Sequence, residues 1–404
     1  MSDGSRRLRV DAELKELGAR YYHEAFAAKV TGRPVAWITS GTPVEPFYAM
    51  DIIPVFPENY GTMCGTRKAS TALCEIAENA GYSRDLCSYA RCNIGSMLGS
   101  TGPLGGLPAP DLLVATRNIC NTVVKWWEVA ARHHRRPLFI LDTPFAGDGP
   151  APHALDYVRA QLQEMIGFLE GVTGRALEPA KLDETVEKAN RAVRLWRQVQ
   201  AFRAHRPSPI SAPDMFTGMF PIVTLRGTRA CIDFLEHLVE ELRERTIGKQ
   251  GVAEPERYRM LWDNIAIWHN FPLYEYFHQQ GAVFVGESYT DAWGRYEFSG
   301  SDILGSMAEN YVTALLNVGL ATRLSLLTEM AEKYQADGLV MHSNRSCKTY
   351  SLGQLVIADE FRQRTGLPVL VLEADMTDPR QMAEGPTRTR IDAFLEVLSM
   401  RAGR

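Results

Sequence analysis

Short apolar runs, each closed by polar or turn-forming residues, alternate with amphipathic stretches along most of this chain. Apolar positions recur at helical spacing through Leu14, Leu17, Tyr21 and Ala25, so residues 7–30 read as a helix. The run VAWITS (Val35–Ser40), closed by Gly41 and Pro43, has the character of a buried strand, and Ile52–Phe56 is a second one. Leu112–Thr116 and Leu138–Asp142 follow, with a helix over Asn121–His133 between them. Strand, helix and strand at that spacing predict a parallel sheet with crossover helices. The charged stretch 154–203 has helical periodicity and no strand candidate, and Pro207 and Pro209 interrupt it. The alternation then resumes with Ala282–Glu287, a helix near 305–318, Gly338–His342, a helix near 352–364, and Pro368–Glu373.

The expected fold class is therefore α/β, with two lobes of parallel sheet flanked by helices and a cleft between them. An N-terminal helical segment covers 1–30, the first lobe 31–150, a helical connector 151–207 and the second lobe 208–404. The length of 404 residues suits two or three domains at roughly 100–200 residues each. No internal repeat, heptad run or low-complexity tract stands out.

Composition narrows the functional classes. Lys and Arg number 44 against 48 Asp and Glu, giving a formal net charge of −4. Neither a nucleic-acid partner nor a membrane surface is expected from that balance. The first residues, MSDGSRRLRVDAELKELGARYYHEAF, hold no apolar segment of the signal-peptide kind, and no apolar run approaches the ~20 residues that span a bilayer. A cytoplasmic location is the expectation. The seven cysteines are an odd number in a long chain, which favours free thiols, metal ligands or redox work over a disulfide framework.

Ligands of open α/β sheets gather outside the carboxyl ends of the strands. Cys120 stands just past Leu112–Thr116, and Cys347 just past Gly338–His342. Cys87 lies in an expected loop between a helix and Gly95. Two of these come from the first lobe and one from the second, so a shared site falls in the cleft. Cys74 and Cys231 occupy helical core positions, where cysteine behaves as a small hydrophobe. Paired C-x-x-C spacing is absent, which argues against zinc. The residues alone leave two readings of the three loop cysteines open, ligands of an iron–sulfur cluster or plain buried thiols.

Several dispersed segments bear on that choice: GRPVAWITS (32–40), PEN (57–59), GYSRDLCSYAR (81–91), NICNTVVKWWE (118–128), RPSPI (206–210), LRGT (225–228), NRSCK (344–348) and DPR (378–380). With these segments in this order, the chain resembles the 2-hydroxyacyl-CoA dehydratases and the related ATP-dependent benzoyl-CoA reductases over nearly its whole length. NICN and NRSCK are more similar to the substrate-binding dehydratase subunit than to its partner.

The resemblance implies a [4Fe–4S] cluster held by Cys87, Cys120 and Cys347, with one iron left open to the thioester oxygen of an acyl-CoA. It implies dehydration of a 2-hydroxyacyl-CoA through a ketyl radical, with loss of the 2-hydroxyl and of a C3 proton, and anaerobic chemistry. It also implies a homologous second subunit and an ATP-hydrolysing iron–sulfur activator. No G-x-x-x-x-G-K-[ST] loop is present, so ATP use belongs to another chain. Ser40, closing its strand, and Glu58, following the next, are the candidate catalytic residues, against plainer readings as a helix cap and a solvent-facing carboxylate. His342 and Arg345 flank Cys347, Lys125 and Trp126 follow Cys120, and Arg67 and Lys68 are candidates for the CoA phosphates. The rivals are an aromatic acyl-CoA reductase and an electron-relay subunit, the latter requiring a fourth thiol such as Cys92 or Cys64.

Overall fold

The computed structural model describes residues 7–402. Among the described residues eight strands form two separate sheets. Strands β1 (Val35–Ile38), β2 (Ile53–Val55), β3 (Leu112–Thr116) and β4 (Leu138–Leu141) pair in the order β2-β1-β3-β4. Strands β5 (Tyr258–Asp263), β6 (Ala282–Glu287), β7 (Gly338–Asn344) and β8 (Val369–Ala374) pair in the order β6-β5-β7-β8. Every pairing is parallel. The second sheet thus repeats the strand order of the first, and in each the order reverses beside the first-formed strand, between β1 and β3 and between β5 and β7.

The central strands are buried along their length because helices cover both faces of a parallel sheet, which explains the unbroken apolar run LLVAT in β3. Strand β5 falls outside the sequence expectation. It lies centrally in its sheet, yet it begins Tyr258–Arg259 and holds only three consecutive apolar residues. Arg259 is buried there because its guanidinium donates to the carbonyls of Tyr334 at 2.7 Å and Arg203 at 2.6 Å and pairs with Glu256.

The charged stretch between the sheets forms two helices, Pro152–Thr173 and Pro179–Ala201. Their apolar faces, including Leu162, Val193 and Trp196, join one core with Ile38, Val114, Leu235 and Tyr311. Among the described residues no helix is long and apolar enough to cross a membrane.

Buried ionic contacts fix the lobes against each other, and they use the segments that stood out in the sequence. Arg91, fully buried in the Ser88–Gly99 helix, bonds Glu78 at 2.6 Å and Asp378 of the second lobe at 3.0 Å. Arg226 bonds Glu45 at 2.7 Å and the Tyr311 hydroxyl at 2.6 Å. A buried pair of this kind is strongly destabilising to break, since one charge is then left alone.

Candidate functional site

The site begins where β1 and β3 part. Thr39, Thr42 and Thr116 link their hydroxyls at 2.8 and 2.9 Å, and the Thr116 backbone N–H donates to Thr39 Oγ1 at 3.1 Å, stapling the two strand ends together. Gly41 follows directly. A side chain there would strike Asn118 Oδ1 at 2.2 Å, so glycine lets the NICN segment close over the strand end. The Asn118 amide in turn donates to Gly41 O at 3.1 Å and Tyr311 O at 3.0 Å.

Ser40 lies between these features. Its backbone N–H donates to the two Glu58 carboxylate oxygens at 3.1 and 3.2 Å, and its hydroxyl donates to Oε1 at 3.0 Å. Glu58 is in the first turn of the helix Pro57–Thr66 and is 8% exposed. Burial pushes its pKa up to about 7, while the bonds from Ser40 pull it partly back. Such a carboxyl exchanges its proton near neutral pH. Neither plain reading holds: Ser40 caps no helix, and Glu58 does not face solvent.

Cys87, Cys120 and Cys347 each stand at the start of a helix. Cys87 occupies the N-cap position of Ser88–Gly99, Cys347 that of the short helix Lys348–Ser351, and Cys120 precedes Thr122–His134. The expected loop carrying Cys87 is present but ends there: residues 88–95 are helical, and Gly95 is inside that helix. Its α-carbon lies so near the neighbouring Ser70–Asn79 helix that a side chain would meet Leu73 O at 1.9 Å. Across the lobes, the Ser88 N–H donates to Ser346 Oγ at 3.1 Å, and Ser346 donates to Asp375, which ties the Cys87 and Cys347 loops together.

All three thiols, Ser40 and Glu58 line one cleft of about 110 Å³. The cysteines are half-buried and free. Burial raises the pKa of each. Cys87 is raised further by Cys120 and Cys347, and Cys347, at about 12, further by Cys120. Among the described residues no Lys, Arg or His lines the cleft; Arg323, behind the Tyr350 ring, partly offsets the rise at Cys347. Among the described residues no group of three or more His, Cys, Asp or Glu is placed to hold a single metal ion. Three soft sulfurs lining one cleft are the donor type that iron–sulfur centres take.

The remaining cysteines are elsewhere. Cys64, Cys74 and Cys92 share a separate apolar cluster, with Cys74 and Cys92 Sγ 3.7 Å apart, and Cys231 is buried in the main core. No fourth thiol lines the cleft. His342 is fully buried, bonded through Nδ1 to Ile265 O at 2.7 Å and held neutral by burial, and it does not line the cleft. Arg345 is exposed, lies 3.8 Å from Glu373 and does not line the cleft. Lys125 is exposed and paired with Glu128. Trp126, in contrast, is both core and cleft wall, with its N–H donated to Asn93 at 2.8 Å.

Tyr89, Tyr289, Trp293, Tyr296 and Tyr350 also line the cleft and do not stand out in the sequence. Tyr289 follows the carboxyl end of β6, so the strand-end rule that points to Cys120 points to it too. Tyr289 also borders a larger groove of about 920 Å³, whose lining includes Lys15, His23 and Arg67. Lys68 faces a different groove.

The family model for the 2-hydroxyglutaryl-CoA dehydratase D-component matches residues 39–398. The (R)-2-hydroxyisocaproyl-CoA dehydratase alpha subunit of Clostridioides difficile is 35% identical, covering 96% of each chain. The lactoyl-CoA dehydratase alpha subunit of Anaerotignum propionicum is 31% identical over 93% of each. A benzoyl-CoA reductase subunit of Thauera aromatica is 31% identical over 96% of this chain and 94% of that one. With the match spanning both lobes and every residue of the cleft from Ser40 onward, this chain belongs to the 2-hydroxyglutaryl-CoA dehydratase D-component family.

Proposed function

We propose that this chain is the substrate-binding subunit of an ATP-activated (R)-2-hydroxyacyl-CoA dehydratase, with a [4Fe–4S] cluster held by Cys87, Cys120 and Cys347. The observation that carries the reading is the meeting of three thiols with the Ser40–Glu58 pair in one cleft at the facing strand ends of two sheets. When bound, such a cluster supplies one-electron chemistry and a Lewis-acidic iron not saturated by protein ligands.

The protein's own groups supply the rest. Glu58, with its pKa near 7, takes the C3 proton or protonates the departing 2-hydroxyl. Ser40 holds that carboxyl in place through three hydrogen bonds and presents its oxygen to the same space. The aromatic and aliphatic walls keep water from a reactive intermediate. The groove beyond Tyr289, with Lys15, His23 and Arg67, takes the CoA arm and its phosphates.

Relatives that are themselves named as subunits support a partner subunit, which we take to be homologous, and the absence of a phosphate-binding loop in the sequence supports a separate ATP-hydrolysing activator. A second reading, reduction of an aromatic acyl-CoA, is favoured by the benzoyl-CoA reductase relative and the aromatic lining. Anaerobic reconstitution with partner and activator tests both. Dehydration of 2-hydroxyacyl-CoA that requires ATP supports the first reading. Conversion of benzoyl-CoA to a dienoyl product without dehydration assigns the second. Turnover by this chain alone, without ATP, contradicts both.

A further inference from the structure

Beside the cysteines and Glu58, the cleft is walled by Ile119, Val123, Trp126, Trp293, Leu315 and Leu316. Among the described residues its lining holds no cation, and its one carboxyl is the acid Glu58. The cations one layer behind are each paired with a carboxylate, although Nη1 of Arg226 is buried without a hydrogen-bond partner of its own. Arg226, 4.9 Å from the Tyr296 ring, bonds Glu45 at 2.7 Å, and Arg323, 5.0 Å from the Tyr350 ring, lies 3.5 Å from Asp263. The buried donors on this wall without a partner, among the described residues, are the Trp293 indole and the Tyr350 hydroxyl, both neutral.

We infer that this cleft selects an acyl group with an uncharged hydrocarbon side chain, branched aliphatic or aromatic, and rejects a dicarboxylic one. The inference rests on the acyl-CoA reading above and adds the substrate class. A terminal carboxylate entering this space would lose its water and meet Glu58 instead of a lining cation, and two neutral donors, an indole and a phenol, do not offset an unpaired buried charge. A hydrocarbon side chain meets apolar surface throughout and gains from burial in proportion to its area. The family model's name, with its glutaryl group, therefore does not describe what this particular pocket takes.

The test is anaerobic equilibrium binding to the holo-complex with unreactive esters: 4-methylpentanoyl-CoA, 3-phenylpropanoyl-CoA, glutaryl-CoA and free CoA. The two hydrocarbon esters should bind at least about 100-fold more tightly than glutaryl-CoA, and glutaryl-CoA no more tightly than CoA itself. Leu316→Lys, which places a cation on the half-buried wall, should narrow that ratio at least about tenfold. Glutaryl-CoA binding as tightly as 3-phenylpropanoyl-CoA would overturn the inference while leaving the acyl-CoA reading intact. An unchanged ratio in Leu316→Lys would also overturn it. If no ester binds more tightly than free CoA, the reading beneath it falls as well.

Discussion

Glu58 and Ser40 show how much a single side chain inherits from its place after a strand. Both follow strand ends in the sequence, and the structure joins them by three hydrogen bonds in a buried cleft. The raised pKa has a consequence for stability. Below pH 4.5, the ordinary value for the group, Glu58 is protonated whether the chain is folded or not. Between that pH and about 7 the unfolded chain releases the proton while the folded chain keeps it, so stability falls as pH rises, by up to about 3 kcal/mol. In the metal-free protein, Glu58→Gln should remove that part of the pH dependence; denaturation curves that shift with pH in parallel for both proteins would contradict it. In the holo-complex, Glu58→Gln and Ser40→Ala should keep their iron and lose about 10²–10⁴-fold in turnover. Near-normal rates in both variants would remove the pair from the chemistry. Tyr289 is equally open to the strand-end rule, but tyrosine at such a point is as often packing as chemistry, and only its position on the wall of the cleft separates the two.

At the level of elements, the strands that carry the site are legible because parallel sheets bury both faces, which leaves apolar runs such as LLVAT and VAWI in the sequence. Strand β5 is hidden because its buried Arg259 breaks that pattern, and the carbonyls and carboxylates that satisfy this residue lie 3 to 78 residues away in the chain. The helix behind Cys87 looks like a loop in the sequence because CNIGSMLG contains two glycines, which are poor helix formers. Gly95 is there for packing, and this gives a prediction. Gly95→Ala should force the Ser70–Asn79 and Ser88–Gly99 helices apart, lower stability by about 1–3 kcal/mol and reduce iron retention through Cys87. Gly167→Ala, in the open on the Pro152–Thr173 helix, should raise stability slightly, by up to about 1 kcal/mol. Thermal melting and iron content of the two variants distinguish a close helix contact from a general intolerance of alanine.

On the scale of the whole molecule, the two sheets share one strand order and present their points of reversal to a common cleft, one giving Ser40 and Cys120, the other Cys347. That repetition exists in hydrogen-bonding order and leaves no internal repeat in the sequence, because burial demands only apolar character at each position and not a particular residue. The placing of Cys120 and Cys347 is legible from strand ends, whereas Cys87, between two helices, joins them through the resemblance. The apolar wall opposite them is not legible, since its residues come from helices and connections at 119–126, 293–296 and 315–316 that no single periodicity links. The cluster on three cysteines is the claim on which the proposed chemistry depends, and iron and sulfide analysis after anaerobic purification tests it most directly. Cys87→Ala, Cys120→Ala and Cys347→Ala should each lose the [4Fe–4S] complement, while Cys74→Ala and Cys231→Ala, which alter only buried core thiols, should retain it. Full iron and sulfide in all three of the first set would contradict the account.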